Sequence, residues 1–396
     1  MNAPTNARPP LIILGGSSNA LAMCRNMARH GVRVYLSVTR NNPAAFSRYS
    51  YRLLPVEDKS RALDIWQDLL LGGKMPELHG AVIFPCNDDG VEFVNLNREA
   101  LQEHYLLDDA ISGLHLDMLD KQKTIEMART AGVGVPGYQL IENAADVQKI
   151  DPKIRLPLIV KPVHSHLFQK AFGGQKLFFV HTFEDLMEKV QAALAKELSV
   201  ILTEWLEGPD TLLSSYYTYV DRDGNRLFEY TKSVIRRFPK NNGQGCLHLS
   251  KWYPDTAAEG RKLFDSMGLR GLGNVEFKLD LKDNKLKIIE CNPRFTAAHQ
   301  LLVSGGMEID WLIYCHLAGL PVPKIESYRQ GETLWFPHRD FKAFLELRAL
   351  GEITLGDWLG SILKPHVMPH FQWRDPMPTW RPFWDSVAGR LAGSGR

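Results

Sequence analysis

The sequence predicts an α/β domain followed by α+β units, and three observations carry that expectation. At 396 residues the chain exceeds the size at which a single hydrophobic core keeps growing, so two or three packed units are expected. The first part of the chain alternates short apolar strands with helical patterns, the order of a parallel βαβ arrangement. Farther on, strands follow one another and mix with helices, as in α+β units rather than one parallel sheet.

In chain order, Leu11 to Leu14 reads as a strand, Gly15 to Asn19 as a turn, Leu21 to His30 as a helix and Val32 to Val38 as a second strand. Glycines at such a turn let a phosphate approach backbone amides, but the dinucleotide fingerprint needs a glycine where Ser17 stands. The turn is therefore read as a tight packing turn. Ala81 to Phe84 is a further buried strand, ending at Pro85, Cys86, Asn87, Asp88 and Asp89, with an amphipathic helix behind it. Polar residues at strand C-termini often face a ligand. A helix from Lys121 to Ala131 ends at Gly132 and opens a new unit. Strands at Pro157 to Lys161 and Lys176 to Val180 flank a loop with Gly173 and Gly174, and a helix from Phe183 to Ala195 precedes the strand Val200 to Trp205. Strands Leu212 to Val220 and Arg226 to Val234, a loop at Asn241 to Gly245 and a helix at Ala257 to Met267 come next. The strand pair Val275 to Leu281 and Lys285 to Glu290 and a helix from Ala297 to Ser304 complete this part. Residues 321–396 read as an appended extension holding five of the nine tryptophans.

Composition removes several function classes. Hydrophobic residues at 44% and charged residues at 23% are ordinary for a globular protein, and no apolar run is long enough to span a bilayer. The first ten residues read as a loose tail, without the order of a secretory signal. Five scattered cysteines form no zinc pattern and fit reduced thiols in a cytoplasm. A net charge of +2 with interleaved signs gives no field for a polyanion, so no nucleic-acid partner is expected.

The chemistry concentrates in Glu276, Glu290, Asn292 and Arg294. Two carboxylates and an amide oxygen are hard ligands suited to magnesium held alongside substrate phosphates. Glu290 and Asn292, two apart on a strand, share a face, and Glu276 joins them if the hairpin has an odd-membered loop or a bulge. Pairing of Glu276 with Cys291 would instead split the set. Exposed carboxylates on a hairpin commonly pair with lysines such as Lys278 and Lys287. Here, however, Glu290 follows Ile288 and Ile289 and leads into Asn292, Pro293 and Arg294, a strand-ending cluster with no packing purpose. Arg294 offers a fork of donors for a carboxylate or phosphate.

This stretch resembles the metal-binding signature of the ATP-grasp superfamily, which includes D-alanine:D-alanine ligase, biotin carboxylase and carbamoyl phosphate synthetase. Other pieces follow in the family's order across residues 10 to 320. Asp120 and Lys121 resemble its first phosphate-contacting lysine, and Lys161 in Ile159–Val160–Lys161–Pro162 its second. The loop His164 to Gln175 resembles the lid over the phosphates. Thr203 to Asp210 resembles the adenine hinge and ribose contact, so the backbone of Glu204, Trp205 and Leu206 is expected at the adenine and either Glu207 or Asp210 at the ribose. The implied architecture is an ATP-grasp fold, residues 118–202 and 203–320, preceded by a Rossmann-like pre-ATP-grasp domain, residues 11–117. The resemblance makes Asp88 a candidate substrate contact, with helix capping as the alternative. Lys232, Arg236 and Arg237, on or beside one strand, are the other substrate candidates, a polar strand face being the alternative.

The resemblance implies an ATP-dependent, magnesium- or manganese-requiring ligase. A carboxylate attacks the γ-phosphate of ATP, Lys121, Lys161 and Arg294 stabilise charge as an acyl phosphate forms, and an amine then releases phosphate to leave an amide and ADP. A kinase or a non-catalytic nucleotide-binding scaffold on the same fold is the alternative. The extension is similar to that of a branch of ATP-grasp enzymes with a Trp-rich C-terminal tail. Its tryptophans are expected to cap the core, with a homodimer surface or a membrane-surface contact as the other readings.

Overall fold

The computed structural model describes residues 8–150, 154–162, 168, 171–173, 175, 177–241, 243–382 and 384. Most of the expected N-terminal tail and much of the expected lid, including His164 and Gly174, lie outside the described residues. The chain forms two compact units. The first comprises Met1–Ala131, Pro209–Phe277 and Ile289–Arg396, and the second Gly132–Gly208 and Lys278–Ile288.

The first unit opens with a parallel sheet of β1 (Leu11–Leu14), β2 (Val34–Ser37), β3 (Arg52–Leu53) and β4 (Val82–Pro85) in the order β3-β2-β1-β4. Every residue of β1, β2 and β4 is buried, as the unbroken apolar runs require of strands covered on both faces. The chain leaves β1 through Gly15 and Gly16, both at positive φ, where a Cβ would meet Asn87 and Cys86. The helix Ser18–Arg29 follows. Leaving β4, Asn87 caps the helix Asp88–Leu96 by accepting from the Gly90 amide at 3.0 Å. The cap is thus Asn87, and Asp88 is the first helical residue with its side chain free for another partner.

In the second unit β5 (Tyr138–Ile141), β6 (Leu158–Pro162), β7 (Phe178–Val180) and β8 (Val200–Glu204) form an antiparallel sheet ordered β5-β8-β6-β7. The helix Phe183–Leu194, capped by Thr182, lays Leu186 and Val190 on Leu158, Val160, Val200 and Leu202.

A six-stranded sheet follows, with β9 (Leu213–Val220), β10 (Arg226–Phe238), β11 (Gln244–Ser250), β12 (Gly271–Asp280), β13 (Lys285–Asn292) and β14 (Thr333–Trp335) in the order β13-β12-β9-β10-β11-β14. Two elements differ from expectation. β10 continues past Val234 to Phe238, and β11 begins within the expected Asn241 to Gly245 loop, because Arg236, Arg237 and Phe238 pair across to Leu247, Gly245 and Gln244. The extension supplies the edge strand β14, whose Trp335 pairs with Leu247.

After β14, the helix Pro337–Ala349 buries Asp340, Ala343 and Phe344. Trp358 stacks on Phe344 at 4.5 Å and donates to Asp340. Trp335 and Trp358 are half-buried, whereas Trp373 is 89% exposed and Trp380 and Trp384 are also exposed. The extension is bolted to the N-terminal helix by a fully buried ion pair, Arg25 to Asp375 at 2.9 Å. Arg25 also donates to the carbonyls of His370 and Asp375.

Candidate functional site

The site is built on the hairpin β12–β13. Asn292 Nδ2 donates to Glu290 Oε1 at 3.0 Å on its own strand and to Asn274 Oδ1 at 3.4 Å across the hairpin. Residues two apart share a face, so Asn274, Glu276, Glu290 and Asn292 lie on one side. Residues Leu281–Asn284 connect the two strands. The common fate of hairpin charge does not apply. Lys278 donates to the carbonyls of Leu206 and Gly208, and Lys287 pairs with Asp280 and Asp283.

The cation that meets the two carboxylates is Lys232, buried on β10 and donating to Ser215 at 3.0 Å. Burial raises the Glu276 carboxyl above its usual range; Lys232 opposes the rise and Glu290 adds to it. Burial likewise lowers the Lys232 ammonium, against the pull of Glu276 and Glu290. Two carboxylates and one buried cation leave an acidic pocket of oxygen donors. With the Asn292 amide this set fits a hard divalent cation. Among the described residues no cluster of three or more His, Cys, Asp and Glu offers a rival site.

Two cavities lie within the first unit, the smaller of them against this face. The smaller, about 220 Å³, is lined by Lys121, Glu290, Asn292, Asp88 and Arg294. The larger, about 530 Å³, lies along the C-terminal ends of β1 and β4 and also includes Asp88 and Arg294. These two residues form an ion pair at 2.6 Å where the cavities meet. Asn19 holds the spot in place: its one amide nitrogen donates to Cys86 O at 2.7 Å and Phe295 O at 2.8 Å, tying the turn after β1 to β4 and to the residue after Arg294.

Other candidates are placed differently from expectation. Arg236 forks onto Asp340 at 2.7 and 3.0 Å inside the core, and Arg237 pairs with Asp210 at 2.6 Å. The expected two-arginine grip on a substrate is absent because each guanidinium is already paired with a carboxylate. Lys232 is held among Ser215, Glu276 and Glu290, at the acidic face rather than at a separate substrate face. Asp210, buried and paired, is not presented to a ribose, whereas Glu207 is exposed.

In the second unit, the Glu204 amide donates to Gly137 O, and its side chain binds Arg155 at 2.9 Å and the Gly137 amide at 3.0 Å. Trp205 N–H donates to Pro157 O and Leu206 O accepts from Lys278, so much of this backbone is already engaged. Lys161, half-buried, is the penultimate residue of β6.

No family model matches the chain. It is 23% identical over 242 residues to the multifunctional protein pyrABCN of Emericella nidulans, covering 58% of this chain and 10% of that protein. It is 26% identical over 97 residues to D-alanine--D-alanine ligase of Pseudomonas fluorescens (24% and 28%) and 23% over 186 residues to the carbamoyl phosphate synthase large chain of Xanthomonas axonopodis pv. citri (44% and 16%). The chain thus spans at most 28% of the length of these curated relatives. Among solved structures it is similar to an ADP complex of purK, N5-carboxyaminoimidazole ribonucleotide synthetase, with a TM-score of 0.61 at 16% identity over 83% of this chain and 81% of that one. Biotin carboxylase from Campylobacter jejuni gives 0.63 at 17% over 82% and 74%, and L-amino acid ligase from Bacillus licheniformis 0.60 at 17% over 83% and 79%. The chain shares the fold of these ATP-grasp enzymes.

On this fold the acidic hairpin face, Lys121, Arg294 and Asp88 lie in the first unit, and Lys161 and the Glu204 to Glu207 segment in the second. Residue patterns missed Asn19, Arg339 and His370. Asn19 stood in plain view inside a Gly-Gly-Ser-Ser-Asn turn, where a side-chain amide is a natural clamp. Arg339 and His370, which line the larger cavity, sit in the extension, and no local motif marks them.

Proposed function

We propose that this protein is an ATP-dependent carboxylate-amine ligase that forms an amide through an acyl phosphate and releases ADP and phosphate. The observation that supports the proposal is the hairpin face of Glu276, Glu290 and Asn292, of which Glu290 and Asn292 line a cavity that also holds Lys121 and Arg294. An oxygen-donor face beside two cations suits a polyphosphate and a carboxylate better than any other ligand pair.

On this reading Lys121 and Lys161 neutralise phosphate charge, and exposed Glu207 holds the ribose, with the Glu204 to Leu206 backbone toward the adenine. Magnesium, or manganese, when bound by Glu276, Glu290 and Asn292, supplies charge neutralisation at the terminal phosphates. Arg294, released from Asp88 or sharing it, orients the substrate carboxylate as its oxygen attacks the γ-phosphate. The acyl phosphate then meets the amine, whose nitrogen displaces phosphate, and the proton it sheds passes to a nearby base. Asp88, which among the described residues pairs with Arg294, is placed to accept it.

The parallel sheet β1–β4 is read as the Rossmann-like pre-ATP-grasp domain, contributing the floor of the larger cavity. The exposed Trp373, Trp380 and Trp384 are assigned to a homodimer or membrane surface. Among the described residues no helix is long and apolar enough to cross a membrane, and a cytoplasmic location is proposed with the reduced cysteines.

The test is ADP and phosphate release on incubation with ATP, magnesium and pools of carboxylates and amines, with mass detection of the amide. Glu290→Gln is expected to cut turnover by about 100-fold or more with an unchanged melting curve. A fully active variant would refute the site. ADP formed together with a phosphorylated substrate and no amide would replace the ligase with a kinase.

A further inference from the structure

The larger cavity contains a cation that the ligase chemistry does not use. Arg339, on the helix Pro337–Ala349, is half-buried and faces this cavity. Among the described residues its one hydrogen bond runs from Nη1 to Gly245 O at 3.0 Å, and its guanidinium lies 4.9 Å from the Phe336 ring. No carboxylate of the described residues pairs with it. Burial lowers its proton affinity, and only the Cys246 thiol opposes the shift. The other arginines of the interior are treated differently: Arg25, Arg236 and Arg237 each have an aspartate at 2.9 Å or closer. A guanidinium has five N–H donors in a planar fork, and holding one half-buried without an anion is costly.

A second side chain of the extension faces the same space. His370 lines the cavity, its Nε2 is buried with no hydrogen-bond partner among the described residues, and burial together with Arg25 and Arg339 pushes its imidazolium down to about 4. It is a neutral imidazole at physiological pH, able to give or accept one hydrogen bond. Its backbone is fixed, since the His370 carbonyl accepts from Arg25, which is itself locked to Asp375.

The remaining charges around the cavity are Lys59, Asp88, Asp89 and Arg294. Lys59 is exposed, Asp88 is paired with Arg294, and Asp89 sits in the first turn of the helix Asp88–Leu96, where the helix end offsets its charge, and accepts from Asn87 at 2.9 Å. Among the described residues, Arg339 is the half-buried charge of this cavity left without a carboxylate.

We infer that the substrate carboxylate is one end of a longer, two-headed anion, whose second anionic group, a carboxylate or a phosphate, is held by Arg339 with His370 beside it. The inference rests on the ligase reading for the reacting end only. Arg294 belongs to both cavities and so addresses the carboxylate next to the phosphoryl donor, whereas Arg339 belongs to the larger cavity alone and reads the far end. The extension thereby selects the acid, and a substrate with a single anionic group leaves Arg339 unpaired.

The experiment uses the full chain and three probes of similar size: propionate, succinate and 3-phosphonopropionate. Calorimetric binding is measured without ATP, and ADP release is measured in parallel. Succinate or 3-phosphonopropionate is expected to bind at least about 10-fold more tightly than propionate. Whichever of the two binds better identifies the second group as carboxylate or phosphate. Arg339→Gln is expected to abolish that preference and Arg339→Lys to restore part of it, with ATP binding unchanged in both as the check on folding. Equal binding of all three probes, no binding of any, or an undiminished preference in Arg339→Gln overturns the inference. ADP release is read separately: a preference that depends on Arg339 without ADP release with any acid and amine would leave the anion site standing and remove the ligase.

Discussion

Lys232 is the residue whose environment states the site's demands most directly. It is 3% exposed and faces Glu276 and Glu290; burial, with the neighbouring Glu290, makes the Glu276 carboxylate costly to ionise, and Lys232 opposes that cost. Lys232→Met keeps the shape and removes the cation, and is expected to destabilise the fold by about 3 kcal/mol. Magnesium should return part of that loss, so the check is the melting temperature of both proteins with and without the ion. An unchanged melting temperature in the variant would show that Lys232 compensates nothing. At the same scale Glu207 and Asp210 separate cleanly. Asp210 is spent on Arg237, so Asp210→Asn should lower stability and leave the KM for ATP close to wild type. Glu207→Ala should leave stability alone and raise that KM by about 10-fold. The opposite pattern in ATP-saturation curves and melts would move the ribose contact to Asp210.

At the scale of elements, β10 and the helix Pro337–Ala349 are joined by Arg236 and Asp340, both buried. Burial pushes the Asp340 carboxyl up, but the Arg236 fork and the Trp358 indole more than offset this and hold it below the usual range. A carboxyl lowered in the folded state adds stability that is complete above its ordinary value of about 3.9 and disappears as pH falls through the folded value. Asp340→Asn should therefore cost about 3 kcal/mol at pH 7, and much less at pH 3. Denaturant titrations of both proteins at the two pH values test this. A constant gap would mean that the charge of Asp340 plays no part. The same contact explains why the end of β10 was misread. Arg236, Arg237 and Phe238 continue the strand because partners on β11 and in the extension satisfy them, and no periodicity in residues 234–238 announces those partners.

At the scale of the whole molecule, the extension is part of the first unit rather than an appendage. It donates the edge strand β14, covers one side of the larger cavity with Phe336, Arg339 and His370, and closes onto the N-terminal helix through Arg25 and Asp375. Removing one member of that buried pair leaves the other charge uncompensated. Arg25→Ala is expected to cost about 3–5 kcal/mol, whereas the double replacement Arg25→Met with Asp375→Leu should cost much less. Chemical denaturation of the three variants decides it, and additive losses would deny the coupling.

The sequence alone determined the features that depend on local period and order. Glu290 and Asn292 share a face because strand side chains repeat every two residues, and the apolar runs of β1, β2 and β4 were legible as buried parallel strands. The order of Lys121, Lys161, the Thr203 to Asp210 segment and the acidic hairpin was also legible, and it carried the family resemblance. The tertiary structure decided which charges are already paired. Arg236 and Arg237 read as substrate ligands, but Asp340 and Asp210 stand beside them, and among the described residues no carboxylate pairs with Arg339. Ion pairing joins residues such as Arg236 and Asp340 that are far apart in the chain, and their meeting depends on how whole elements pack, which a local pattern does not encode.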